Sequence, residues 1–143
     1  MTQHAYDPEN VFAKILRGEL PCIRVFEDEH SLAFMDIMPR GDGHTLVIPK
    51  QEARTIEDVA TADLSRLIGT VQKVAIAARR AMQADGMTIQ QFNESAGGQV
   101  VFHIHFHIIP RWKGVPLRPH SGEMANQETL DAHAAKIVEA LEA

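Results

Sequence analysis

Three histidines stand at alternate positions, His103, His105 and His107, with Ile104, Phe106 and Ile108 in register with them. Side chains of an extended strand alternate faces, so this spacing sets three imidazoles on one face and apolar residues on the other. Each neutral ring carries a donor and an acceptor that need partners, which makes the row a poor core filling and a good place for proton or phosphoryl chemistry. A metal site is one alternative. At ~3.3 Å per residue the outer rings start ~13 Å apart, too far for one ion to take all three. A further ligand would have to be Asp, Glu, Cys or a distant His, and positions 95–122 hold no Asp, Glu or Cys.

That acid-free stretch carries Arg111, Lys113, Arg118 and four histidines in a chain of net charge -5, so it should attract an anion. Just upstream, Ala96-Gly97-Gly98-Gln99 offers a glycine-rich turn whose N–H groups can approach phosphate oxygens. A neutral imidazole is a competent nucleophile at phosphorus, and neighbouring rings keep it unprotonated because a second positive charge nearby is disfavoured. His105, flanked on both sides, is the best-placed nucleophile. His107 can hold a proton for the phosphate or the departing group.

The elements that must position these rings are legible from the apolar pattern. Asn10 caps a short helix over 10–17, with Val11, Phe12, Ile15 and Leu16 on one side and Gly18 at its end. Strands are predicted over 22–26, 32–37, 44–48, 87–92 and 100–109. Between the third and fourth, Leu64, Leu67, Ile68, Val71, Val74, Ala75, Ala78 and Met82 recur at helical intervals, predicting a helix over 63–82 with Thr61 as N-cap. A last helix starts near Gln127, after a Pro/Gly-rich loop that follows Pro110 and runs through Gly122, which reads as a lid, a partner contact or a plain connector. The expected fold class is α+β: a five-stranded antiparallel sheet, one long helix packed on it, a short N-terminal helix and a C-terminal helix.

With 143 residues, 45% hydrophobic and 23% charged, the chain suits one domain over 1–143, with its core at about 10–111 and the C-terminal loop and helix over 112–143. The acidic balance argues against nucleic-acid or anionic-membrane binding through a basic field. Cys22 is the single cysteine, so no disulfide within the chain is possible, and no stretch is long and apolar enough to span a membrane. Residues 1–10 lack the basic start and apolar run of a signal peptide, and the expected location is cytoplasmic.

The run Gly98-Gln99-Val100-Val101-Phe102-His103-Ile104-His105-Phe106-His107-Ile108-Ile109 resembles the His-x-His-x-His signature of the histidine triad (HIT) superfamily. Asn10-Val11-Phe12-Ala13-Lys14-Ile15, Gly18-Glu19-Leu20-Pro21, Phe34-Met35-Asp36-Ile37-Met38-Pro39 and Gly43-His44-Thr45-Leu46-Val47-Ile48-Pro49-Lys50 are similar to its other blocks in the same order. The chain resembles bacterial-type members of the nucleoside phosphoramidase and dinucleoside polyphosphate hydrolase branches.

The resemblance implies a homodimeric nucleotide hydrolase without cofactor, acting at the α-phosphate of a purine nucleotide through a nucleotidyl-histidine intermediate and releasing a nucleoside monophosphate. It implies His105 as nucleophile, His107 as partner of phosphate and leaving group, and His103 and His44 as supports. Asp36 would accept from the ribose hydroxyls, although as a residue type it serves equally as a turn cap. Val11, Phe12, Ile37 and Leu46 would wall the base. Asn93, the Gly98 amide and Gln99 would line the phosphate path, beside a buried Val100 where the family often has Ser or Thr. His107 in place of the transferase branch's usual Gln favours hydrolysis. Zinc-binding members place Cys near Asn10 and Ala13 and His near Glu52, so the resemblance implies no metal here. The alternative function is a nucleotide-binding or interaction module with little turnover.

Overall fold

The computed structural model describes residues 5–119 and 123–143. Helix α1 (Val11–Leu16) begins where the Asn10 side-chain oxygen accepts from the Ala13 N–H at 2.9 Å. It ends in a left-handed glycine, Gly18 at φ +78°, with the Gly18 N–H on Ile15 O and the Glu19 N–H on Lys14 O. These are the paired bonds of a Schellman motif, which satisfy carbonyls the helix would otherwise leave open.

Five strands follow: β1 (Arg24–Glu27), β2 (Ser31–Met35), β3 (Thr45–Pro49), β4 (Gly86–Gln90) and β5 (Phe106–Arg111). They form one sheet in the order β1-β2-β3-β5-β4, each pair antiparallel. The long helix α2 (Thr61–Ala81) crosses from β3 to β4, and α3 (Gln127–Glu142) closes the chain. The α+β architecture is the expected one.

Strand alternation divides the sheet's burden. Ala33, Met35, Val47, Phe106 and Ile108 face the two long helices and form the main core with Leu67, Val71, Val74 and Ala78 of α2. Leu130, Ala134 and Ile137 of α3 lie in that same core, so the C-terminal helix is a structural layer rather than an appendage. On the opposite face Leu32, Phe34, Leu46 and Ile48 pack with Phe12 of α1. The register carries that face to the chemistry: Phe34 pairs with Leu46, and Leu46 pairs with His107.

Two expectations are corrected. The N-cap of α2 is Ala60, in extended conformation and without a side-chain bond; Thr61 is already the first helical residue. More consequentially, the strand expected over 100–109 begins only at Phe106, so of the three histidines His107 alone lies on it. Pro49, the last residue of β3, has no N–H to extend the ladder, and its carbonyl is taken by the His103 ring. The Ile104 N–H donates instead to Ala53 O at 2.9 Å. Alternation still describes what is buried, but the backbone that buries it is irregular.

The connection after β5 is fastened to the loop between β2 and β3. The Arg118 N–H donates to Arg40 O, the Arg40 Nε–H donates to Arg118 O, Arg118 pairs with Asp42, and the Ala125 N–H donates to Ile37 O. The part of the loop expected after Pro110 that falls on 120–122 lies outside the described residues. No described helix is long and apolar enough to cross a membrane.

Candidate active site

The loop that delivers the histidines is braced before they begin. Arg54 grips Glu94 with two bonds of 2.9 Å each, and its guanidinium lies 4.2 Å above the Phe102 ring centroid. Gln99 is buried in the loop's interior, its Oε1 accepting from the Glu94 N–H and its Nε2 donating to Arg54 O and Val101 O. Gly98 takes φ +94°, a conformation that favours glycine, with the Phe92 ring 3.4 Å from where a Cβ would stand.

Hydrogen bonds then assign each ring's tautomer. The His44 Nδ1 faces the Arg40 N–H at 3.0 Å and must accept, so the His44 proton is on Nε2. That nitrogen is 3.0 Å from His107 Nδ1 and 3.5 Å from Asp36 Oδ2. His107 Nδ1 therefore accepts, and its proton sits on Nε2. The His105 Nδ1–H donates to its neighbour's carbonyl, His103 O, at 2.7 Å, which leaves His105 Nε2 as a bare lone pair. His103 donates through Nε2 to Pro49 O at 2.9 Å and accepts at Nδ1 from the Tyr6 hydroxyl at 2.6 Å. The His105 and His107 ring centroids are 4.9 Å apart. One ring offers an electron pair and the adjacent one a proton.

Both rings line a cavity of about 510 Å³. Of the expected residues, Val11, Phe12, Ile37 and Leu46 line it as apolar wall, and Asp36, His44, Gly98 and Val100 also reach it. Phe12 meets the His105 ring edge-on at 4.9 Å. Asp36 serves as the turn cap: Oδ1 accepts from the Met38 N–H at 2.9 Å, while Oδ2 lies 3.5 Å from His44 Nε2 on the cavity wall.

Four residues stand differently from expectation. Asn93 and Gln99 are not among the cavity's lining residues, because their amides are spent inside the loop, Asn93 on the Ile56 N–H and on Gln91. The Gly98 N–H, expected on a phosphate, donates to Ser95 O at 3.0 Å. Val100, expected to be buried, is 68% exposed at the cavity mouth. His103 is fully buried behind the cavity. Sequence reasoning missed Tyr6, whose partner is distant in sequence, and Arg40 and Phe92, which the cavity also recruits.

Burial lowers the protonation tendency of His105 against the weaker opposing effect of its bond to His103 O, so the ring stays neutral at physiological pH. Burial likewise pushes His103 down to about 4, with the Pro49 carbonyl opposing. Asp36, His44 and His107 form a group with metal-ligand spacing, their ligand atoms within 4.8 Å of one another. The missing acid thus comes from β2's end rather than from 95–122. A cation there would have to displace the proton shared along His44 and His107.

The family model described as HIT domain matches residues 17–114. The crystal structure of a Hit-like protein involved in cell-cycle regulation from Bartonella henselae is similar at TM-score 0.89 and 50% identity, over 95% of this chain and 99% of that one. An adenosine 5'-monophosphoramidase of Schizosaccharomyces pombe is 32% identical over 128 residues, 82% of this chain and 93% of the relative. An adenylylsulfatase of Arabidopsis thaliana is 36% identical over 134 residues, 90% of this chain but 65% of that longer protein.

Proposed function

The chain belongs to the HIT family, and from that premise we propose that it hydrolyses a purine nucleotide at the α-phosphorus, releasing a nucleoside monophosphate from a phosphoramidate or a dinucleoside polyphosphate. The observation that supports this reading best is the pair of opposed tautomers at the cavity wall, the bare Nε2 of His105 beside the Nε2–H of His107.

The base packs among Val11, Phe12, Ile37 and Leu46, and the ribose hydroxyls donate to Asp36 Oδ2. His105 Nε2 attacks the α-phosphorus; an N–P bond forms as the bond to the leaving nitrogen or oxygen breaks, His107 Nε2–H donates a hydrogen bond to that atom, and the atom takes its proton from solvent. Water then attacks the nucleotidyl phosphorus and gives its proton to solvent, and as the N–P bond breaks His105 regains its lone pair. The Asp36–His44–His107 chain keeps the His107 proton on the cavity side through both halves. No cofactor takes part.

The same reading includes a cytoplasmic homodimer. β4 lies at an open edge of the sheet, and Met87 and Ile89 on it, with Ile68 and Ile76 on α2, are large apolar side chains left exposed.

The test is a panel of adenosine phosphoramidate, adenylyl sulfate, an aminoacyl-adenylate and a diadenosine polyphosphate, with rapid alkaline quench of labelled nucleotide. Expected are adenosine monophosphate as product and an acid-labile, alkali-stable label that His105→Ala abolishes while nucleotide affinity stays within about tenfold. Binding of nucleotide without hydrolysis of any of the four would make the chain a binding module instead.

A further inference from the structure

Tyr6 stands ahead of α1 and outside the segment that matches the family model. Its hydroxyl lies 2.6 Å from His103 Nδ1, and its ring meets the imidazole edge-on with centroids 5.6 Å apart. The direction of the bond is fixed from the other side of the ring. Pro49 O can only accept, so His103 carries its proton on Nε2, and Nδ1 receives the Tyr6 O–H.

His103 reaches no substrate, being buried behind the cavity, but its backbone carbonyl is the acceptor that holds His105 Nδ1–H and so bares His105 Nε2. We propose that Tyr6 is a positioning residue for nucleotidyl transfer: by donating to His103 Nδ1 it anchors the His103 ring, and through it the peptide carbonyl that sets the tautomer and aim of His105. This rests on the reading of His105 as nucleophile.

The segment carrying Tyr6 is built to hold it. The Asn10 N–H and Nδ2–H both donate to Asp7 O, Asp7 Oδ1 accepts from the Glu9 N–H at 2.9 Å, and Arg17 of the α1 C-cap donates to Pro8 O at 2.6 Å. One short stretch thereby grips two successive histidines, Tyr6 on His103 and Phe12 on His105. Burial pushes the Tyr6 phenol above its ordinary range, which keeps the donor protonated at neutral pH. Without that donor, a buried acceptor on His103 would go unpaired, take a proton or turn toward another partner. Each outcome disturbs the peptide on which His105 leans.

Tyr6→Phe keeps the ring contact and deletes the hydroxyl; Tyr6→Ala deletes both. Steady-state kinetics on adenosine phosphoramidate are read beside long-range 1H–15N correlation of the imidazoles in the full chain. The expected result for Tyr6→Phe is a kcat lower by about tenfold, a KM within about twofold, and His105 nitrogen shifts displaced from the single-tautomer pattern toward exchange between tautomers. Wild-type kcat in Tyr6→Phe, a loss confined to KM, or His105 nitrogen shifts unchanged would each overturn the proposal. The nitrogen shifts need no turnover. An inactive wild-type protein would refute the hydrolase reading, while the shifts would still decide whether the Tyr6 hydroxyl governs His105.

Discussion

Mild acid should destabilise this protein, and His103 sets much of the scale. Its folded pKa is lowered to about 4 from 6.5, chiefly by burial. Between those values the unfolded chain binds a proton that the folded chain refuses, so stability is fully present above the unfolded pKa and is lost as pH falls toward the folded one. One pKa unit corresponds to about 1.36 kcal/mol, which gives a loss of about 2.5 kcal/mol between about pH 7.5 and about pH 4.5 from this ring alone. That is a large share of the ~5–15 kcal/mol that holds a domain folded. His105 and His133, both also lowered by burial, add to the loss with the same sign. The assay is urea denaturation across this range for the wild type and His103→Asn, which cannot protonate. The variant should start less stable and then lose about 2.5 kcal/mol less than the wild type over the same window. Parallel curves would mean that His103 is not held neutral, and the tautomer argument built on its Pro49 and Tyr6 bonds would fall with it.

Asp36→Ala should weaken ribonucleotides by about 1.5–3 kcal/mol, the range for hydrogen bonds to a charged group, and spare 2′,3′-dideoxy forms; equal losses in titration calorimetry would return Asp36 to its turn-capping role alone. Met87→Lys with Ile89→Lys should convert a sedimenting dimer to a folded monomer by charging the open β4 edge, and a wild type that already sediments as a monomer would refute the dimer. Ending the chain after Arg118 removes Leu130, Ala134 and Ile137 from the main core, and burial of the Leu and Ile side chains alone is worth about 3–6 kcal/mol. The truncated chain should lose its cooperative thermal transition; retention of that transition would show α3 to be dispensable.

The fold was legible because its signals are local. The Asn10 cap, Gly18, the α2 periodicity and the alternating apolar strands each act within a few residues, and the structure realises each of them within a few positions. The histidine row was legible as a cluster of neighbouring buried rings but not in its backbone geometry. Its alternation is that of a strand, whereas strand pairing is decided by the partner, and Pro49 ends the ladder from across the sheet. The Gly98 amide failed for a related reason: a glycine-rich turn offers N–H groups to an anion only if the turn does not use them itself, and here Ser95 O takes that of Gly98. Tyr6 carried no signal at all, since a lone tyrosine in a polar N-terminal stretch gains meaning only from a ring 97 positions away.

The spent donors sharpen one last expectation. Charge developing on phosphate oxygens or on a leaving group needs hydrogen-bond donors aimed at it, yet the Gln99 amide serves Arg54 and Val101, and the N–H groups of Gly97, Gly98 and Gln99 serve the turn itself. At the cavity mouth beside them stands Val100, whose side chain has no donor and which is 68% exposed. Val100→Ser therefore adds a hydroxyl where one is lacking, and because little apolar surface is buried there it should leave the thermal midpoint nearly unchanged. A well-placed donor is worth ~2.7–4 kcal/mol, but a grafted hydroxyl at a solvent-exposed rim competes with water and seldom lands in ideal geometry, so a rise in kcat of roughly threefold to thirtyfold is expected. The gain should be greatest for the poorest leaving group, where most charge has built up at the transition state. If single-turnover rates are unchanged or lower on every substrate while the midpoint holds, then His107 already supplies the donor that matters, and the valine marks a site whose chemistry runs on its histidines alone.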